Sequence, residues 1–462
     1  MKRMLALVLS LSLLMVMALA LPAQAEEKTV YPDGTVSVYC TGQPQFLQMY
    51  FDEWLERNRD IAPGVKIELV QVETMAAGRQ KISMDYLAGA YDDMPDAVYL
   101  DAVGIVDLAS AGLLTDVSDF YNPIAGEFVD GAAGDATIQG KVYGLPESVR
   151  PQLLFYNAAI LEEYGIDPAS MSTMNGYLEA GRTIKEKSNG EVYLSYIDPT
   201  TYTWRYWGRR GLMPQANARI WDEQGNVVIG SDEGTKLALT FLDTLNSEGL
   251  LYKTTMMLYE ATDEGKIATF YIGAFWDEFL RANLTKTAGQ WRAMSAPVFE
   301  EVGTAGAPVT NYLCLVENGT NEYAGLVKKM WYDFHTDGEN RNAWVNKMVE
   351  IGGAYSNPIN LAMLADPFWQ EPSDFYGGAS FRKAEGEGLA NSSANMTVTA
   401  KDGEADSIIS AEIEKYVAGE QTMEQAIANM DTFSKVLIPA VTAAAAASSF
   451  RWAAGPTVIK TS

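Results

Sequence analysis

The chain has 462 residues, 48% of them hydrophobic, enough for two or three cores at the usual domain size and unlike a disordered or fibrous composition. With 34 Lys and Arg against 60 Asp and Glu, the formal net charge is −26. Nucleic-acid binding runs on cations that neutralise phosphates, so that class of partner is excluded.

Lys2 and Arg3 precede an apolar run over 4–21, which closes on Pro22-Ala23-Gln24-Ala25, a small-x-small cleavage shape. A signal peptide over 1–25, cut after Ala25, is therefore expected, and its loss takes the net charge from −26 to −28. An uncleaved anchor is the competing reading, since the run is about as long as a bilayer span. No later stretch of that length is free of charges, so the remainder is expected to be soluble and exported, periplasmic or extracellular. Neither cysteine, Cys40 or Cys314, ends the apolar run, so a lipoprotein is not expected; whether the two pair stays open.

A β-branched run over 35–39 predicts a strand. A helix over 44–57 follows, with Phe46, Tyr50 and Trp54 four apart beside Leu47, Phe51 and Leu55. Alternation over 65–70 predicts a second strand, a helix runs through Ile82 and Leu87, and 96–101 predicts a third strand. Strands alternating with helices imply crossovers and a parallel sheet, hence an α/β protein. In such sheets the ligand crevice lies outside the carboxyl ends of the strands. Those ends deliver Thr41-Gly42-Gln43-Pro44 and Asp101, so Gln43 and Asp101 are candidate ligand contacts.

From Gly140 the texture changes, through Lys141-Val142-Tyr143-Gly144-Leu145-Pro146 and Leu153-Leu154-Phe155-Tyr156-Asn157 to a helix and a long αβ stretch, where a second lobe starts; in it a helix capped by Ser231-Asp232-Glu233 carries Leu237, Phe241 and Leu245 to Gly249. A strand over 311–316 precedes a helix over 322–334 with Leu326, Val327, Met330 and Trp331 inward. The stretch 377–407, rich in Gly, Ser, Ala and Asn, is expected as a long loop or a set of short elements. The alanine tract at 443–447 favours helix and carries no chemistry.

One histidine, His335, and two cysteines exclude His-rich or Cys-rich zinc sites and any Ser-His-Asp machinery that does not use His335. His335 itself is explained by a helix C-terminus or a surface position. The phosphate-binding, dinucleotide and nucleophile-elbow motifs are missing from the sequence. No metal or cofactor is expected. A glycosidase needs only two carboxylates, so missing motifs do not remove it. Ten Trp, 24 Tyr and 16 Phe suit a sugar cleft, in which C–H faces pack on rings and hydroxyls meet polar groups. Trp204-Arg205-Tyr206-Trp207 is the densest cluster, with Arg209 and Arg210 beside it, making Trp204 and Trp207 candidates against the plain alternative of core packing.

Several blocks, taken in order, resemble the extracellular solute-binding proteins of ABC importers, in the carbohydrate-binding, maltose-binding-protein-like group. They are Pro95 through Asp101, Gly112-Leu113-Leu114-Thr115-Asp116-Val117, and Gly140-Lys141-Val142-Tyr143-Gly144-Leu145-Pro146 followed by Tyr156-Asn157. Glu264-Gly265-Lys266-Ile267-Ala268 leading to Gly273-Ala274-Phe275-Trp276, then Ala296-Pro297 before the 311–316 strand, complete the series. The resemblance implies a two-lobe, periplasmic-binding-protein-like type II fold with a hinge and an interlobe cleft. Its expected division is 26–147 as the first lobe, 148–307 as the second, 308–354 returning to the first, and 355–462 beside the hinge on the second. Hinge segments are expected near 145–150, 306–311 and 352–358.

The same resemblance implies a non-enzymatic, monomeric receptor that captures a small solute, in the main a sugar, and passes it to membrane permease subunits. Carried onto this chain, the family's contacts are Gln43, Asp101, Arg150 or Tyr156, Trp276 and Tyr312, with Tyr355 and Asn357 beside the last crossing. The chain departs from the family's frequent aromatic after the first strand, where it has Thr41-Gly42-Gln43, and from its many lipoproteins. The alternatives are a secreted glycosidase or lyase and a receptor for a non-sugar solute.

Overall fold

Val36 and Val38 of β1, Gly34–Cys40, and Val65, Ile67 and Leu69 of β2, Val65–Gln71, turn inward while Thr35, Lys66 and Glu68 stay exposed, as the alternation predicts. The computed structural model describes residues 29–437 other than 43, 201, 223, 255–257, 352–354, 356–357, 393–395, 397 and 400. The expected signal peptide, Gln43, Asn357 and the 443–447 tract thus lie outside the described residues. Between the two strands α1, Pro44–Arg57, lays Tyr50, Phe51, Trp54 and Leu55 on the sheet. α2, Met75–Ala88, leads to β3, Ala97–Leu100, which is buried on both faces and followed by α3, Ala102–Ser110. β1 pairs in parallel with both β2 and β3. β4, Leu145–Arg150, ends the first pass through this lobe.

The second lobe opens with β5, Gln152–Asn157. The Asn157 carboxamide oxygen accepts from the backbone N–H of Ala159 and Ile160, at 3.0 and 3.2 Å, and so starts α4, Ala158–Tyr164. A wide helix, Thr203–Leu212, follows, bonded i→i+5 rather than i→i+4. Asp232 caps α5, Glu233–Ser247, whose Leu239, Phe241, Leu242 and Leu245 are buried. β6, Thr269–Gly273, leads to α6, Trp276–Asn283, and β7, Trp291–Ser295, completes a small antiparallel sheet of order β6-β5-β7.

β8, Val309–Leu315, returns to the first sheet, whose order is β2-β1-β3-β8-β4. β8 runs antiparallel to β3 and β4, unlike the parallel arrangement expected for the lobe as a whole. It enters from the other lobe, at the edge where β3 ends, so it can only run against β3. α7, Ala324–Thr336, and α8, Gly338–Ile351, pack on the first core with Leu326, Val327, Met330 and Trp331 inward as expected. His335 is not at the surface: it is fully buried, its Nε2 lies 3.1 Å from Glu147 Oε2, and burial lowers its pKa.

Ile359, Met363 and Trp369 still belong to the first core, whereas Tyr376 and Phe381 pack on the β5–β6 face of the second lobe. The third crossing therefore falls between Trp369 and Tyr376, later than 352–358 and inside the stretch from 355 onward expected on the second lobe. The first two crossings lie at Arg150 to Gln152, at the end of the expected 145–150 segment, and at Ala305 to Val309, overlapping 306–311. The 377–407 stretch contains α9, Phe381–Ala390, and the start of α10, Asp402–Ala418; α11, Met423–Leu437, follows. Ile409, Ile413 and Met430 join Leu154, Trp207 and Leu242 in the second core, separate from the first core of Val38, Trp54, Trp331 and Phe334. Three chain segments thus connect two α/β lobes, the type II two-lobe fold. Cys40 and Cys314 are separate buried free thiols, which answers the open pairing.

Candidate functional site

Two helices of the first lobe begin where strands end, and both beginnings face the second lobe. Thr74 Oγ1 accepts from Ala77 N at 3.0 Å to start α2 just after β2. Asp101 Oδ1 accepts from Gly104 N at 3.1 Å to start α3 just after β3. A cavity of about 410 Å³ lies against these first turns, with Pro308, Val309 and Thr310 of the second crossing as its floor.

The opposite wall comes from the wide helix and from the N-terminal half of α10. In i→i+5 bonding, residues four and five apart share a face, and Trp204, Arg205, Arg209 and Arg210 all border the cavity. Gly403, Asp406, Ser407 and Ser410 do so from α10. These four are spaced three and four apart along one face, and Ile409 and Ile413 beside them turn into the core.

Charge is organised across this space. Arg210 Nη2 stands 3.9 Å from Asp101 Oδ2, second lobe to first. Arg79 Nε lies 3.1 Å from Asp107 Oδ2, and a Cβ on Gly403 would come within 3.1 Å of Arg79 Nη2, so glycine there gives the guanidinium room. Arg209 pairs with Asp402 and lies 3.8 Å from Asp406 Oδ1. Burial opposes the Arg209 charge, but Asp406 and Asp402 outweigh it and hold its pKa above the ordinary value. Asp402 is fixed in turn by Trp221 Nε1 at 2.9 Å and Thr399 Oγ1 at 2.9 Å. Trp204 Nε1 donates to Asp406 Oδ1 at 3.0 Å, while burial raises the Asp406 pKa. Burial and the neighbouring Arg205 together lower that of Arg210.

Arg205 and Arg210 also reach over the Tyr206 ring, at 5.7 and 5.8 Å from its centroid. There a strip of rings begins: Tyr202 stacks on Tyr206 at 5.6 Å, Phe275 follows at 5.6 Å, and Phe279 lies 6.4 Å beyond. Tyr202 and Phe279 are 50% and 44% exposed, so the strip offers ring surface to solvent.

Of the candidates read from sequence, Asp101 and Trp204 border the cavity, together with the flanking Arg205, Arg209 and Arg210. Trp207 does not: it is in the second core, its Nε1 donates to Tyr196 O at 3.1 Å, and its ring lies 5.3 Å from Tyr271. Trp276 is buried among Tyr196, Tyr259 and Phe270, away from the cavity. Tyr312 is buried below the floor, in contact with the Ile105 cluster. Tyr156 is half-buried against the second core, and Tyr355 against the first, with Arg382 5.6 Å over its ring. Arg150 is buried at the first crossing, 2.8 Å from Glu278. Thr74, Arg79, Asp135, Thr310 and Asp406 were not singled out by sequence reasoning. The polar spacing along α10 was the available signal for Asp406, Ser407 and Ser410.

Around Arg150 the crossings hold a second charged group, buried and distinct from the cavity. Arg382 Nη1 lies 3.2 Å from Glu385 Oε2, and Arg281 Nε 2.6 Å from Asp277 Oδ1, which also accepts from the Tyr376 hydroxyl at 2.6 Å. Burial pushes the Glu385 carboxyl up to about 7, against the pull of Arg382 and Arg150.

Comparison with known proteins places this architecture. The chain is 23% identical over 368 residues to the arabinooligosaccharide-binding protein of Halalkalibacterium halodurans, covering 76% of this chain and 78% of that one. It is 24% identical over 358 residues to the lactose-binding protein of Rhizobium radiobacter, covering 75% and 79%. Among solved structures, the ABC transporter associated binding protein of B. animalis subsp. lactis, in complex with β-1,6-galactobiose, superposes with a TM-score of 0.70 at 19% identity, covering 87% of this chain and 96% of that one. The family model for bacterial extracellular solute-binding proteins matches residues 41–330. This chain belongs to the bacterial extracellular solute-binding protein family.

Proposed function

We propose that the protein captures a sugar or short oligosaccharide in the interlobe cleft and hands it, unaltered, to the permease subunits of an ABC importer. The observation that carries this reading is the cavity itself, walled by both lobes and floored by a crossing strand. A guest there touches both lobes, so it favours the closed form by its differential affinity for that form. Arginine forks, aspartates and the hydroxyls of Thr74, Ser407 and Ser410 suit sugar hydroxyls. The ring strip from Tyr202 to Phe279, outside the cavity lining but next to Arg205 and Arg210, offers C–H faces a surface for a longer guest. The sugar-binding relatives and the galactobiose-bound structure support the same class of guest.

Asp101 is engaged in capping a helix and Asp406 in holding Trp204, roles that fit a receptor better than a glycosidase. In this reading 26–150 with 308–354 moves as one body, with 359–369 riding on it, and 152–307 with the C-terminal helices moves as the other. Export follows cleavage after Ala25, which mass spectrometry of the secreted protein tests by a mature N-terminus at Glu26. A thermal-shift screen against neutral and acidic oligosaccharides tests the binding reading, because a ligand of the native state raises Tm. Small-angle scattering with the best ligand should show compaction; a bound ligand with no compaction overturns closure, and a chemically altered ligand overturns the receptor reading.

A further inference from the structure

We propose that the guest carries a carboxylate, so that the cleft takes an acidic oligosaccharide containing a uronic acid in preference to its neutral counterpart; this rests on the sugar reading above. Four arginines, Arg79, Arg205, Arg209 and Arg210, border the cavity with Asp101, Asp135 and Asp406, and Asp107 and Asp402 stand behind Arg79 and Arg209, so what matters is how the charges are matched and not their sum.

Three of the four arginines have carboxylate neighbours. Arg79 is matched by Asp107 at 3.1 Å, and Arg209 by Asp402 and Asp406. Arg210 faces Asp101 at 3.9 Å, beyond hydrogen-bond reach, and Asp101 spends its other oxygen on the α3 cap. Asp135 lies on the far wall, beside the buried Tyr312. Arg205 has no carboxylate within 4.0 Å among the described residues; its recorded neighbour is the Tyr206 ring. Arg205 and Arg210 are five apart on the wide helix, both over that ring, so two guanidinium forks stand together with less than two charges to meet them.

An anion placed between them relieves their mutual repulsion. The first turns of α2 and α3, which face them across the cavity, add N–H groups and the positive helix ends. A planar carboxylate matches a guanidinium fork in two parallel hydrogen bonds, and its single charge suits Arg205, the one of the four without a carboxylate within 4.0 Å among the described residues.

The test is calorimetric titration of the full mature chain with matched pairs, digalacturonate against 1,4-galactobiose and glucuronosyl-xylose against xylobiose. The expected result is at least tenfold tighter binding of one acidic member, weakening as salt rises. Arg205→Gln should then lose at least tenfold more affinity for the acid than for its neutral partner, with Arg205→Lys in between and circular dichroism confirming the fold. Tighter binding of the neutral members, or equal losses for both, overturns the inference while leaving the sugar reading intact. If a non-sugar solute binds and none of the four disaccharides does, both fail.

Discussion

Asp101 Oδ2 on the first lobe and Arg210 Nη2 on the second stand 3.9 Å apart across the cleft, while the other oxygen of Asp101 starts α3. One carboxylate thus anchors a helix and attracts the facing lobe. An asparagine at 101 keeps the cap and removes the attraction. Asp101→Asn should therefore change stability by less than about 1 kcal/mol yet enlarge the radius of gyration of the guest-free protein in small-angle scattering. High salt should enlarge the unmutated protein in the same way.

Trp204 has a double role, closing the second core with its ring and holding Asp406 with its indole N–H at 3.0 Å. Trp204→Phe retains most of the ring and takes one donor from a partly buried carboxylate, at an expected stability cost of about 1 kcal/mol. Chemical denaturation measures that cost, and titration should show weaker guest binding by the same variant.

The Glu385 carboxyl, held near 7 in the fold against an ordinary 4.5, binds a proton that the unfolded chain has already released between those values. Its contribution is fully present below about 4.5 and is lost as pH rises through 7, so stability falls over that window by up to about 3 kcal/mol on this account. Melting curves from pH 5 to 8 should slope downward for the native sequence and be flatter for Glu385→Gln.

Trp276 stacks on Tyr259 at 5.8 Å and packs on Phe270 at 5.6 Å. Trp276→Ala is expected to destabilise by about 3–5 kcal/mol, as for other large buried aromatics. If it remains folded at low temperature its affinity should be close to native, in contrast to the loss of roughly 1–3 kcal/mol in binding that an anchor at the guest would give.

The first lobe was readable because its strands and helices keep simple periods. Val65, Ile67 and Leu69 alternate with polar residues, and Tyr50 and Trp54 repeat every four, each pattern fixed by one buried face. The direction of β8 was not readable, since alternation is the same for parallel and antiparallel strands and only the entry point from the other lobe sets it. In the 203–212 segment the aromatic and arginine cluster drew attention, but i→i+5 bonding has no apolar period of its own, so Trp204 and Trp207 looked alike. One faces the cavity and the other the core. His335 does lie in the last turn of α7, one of its two expected places, but its burial was not readable because its partner, Glu147, is 188 positions away.

The two walls of the cleft differ in what a mutation can reach. On the first lobe the opening turns of α2 and α3 border the cavity, and substitution at Met75, Ala76, Ala102 or Val103 leaves their amides in place. On the second the border is made of side chains carried by the wide helix and α10, each replaceable without redrawing a strand. Descendants of this protein that switch diet should accordingly differ at 204–210 and 403–410, and inherit the other wall almost untouched.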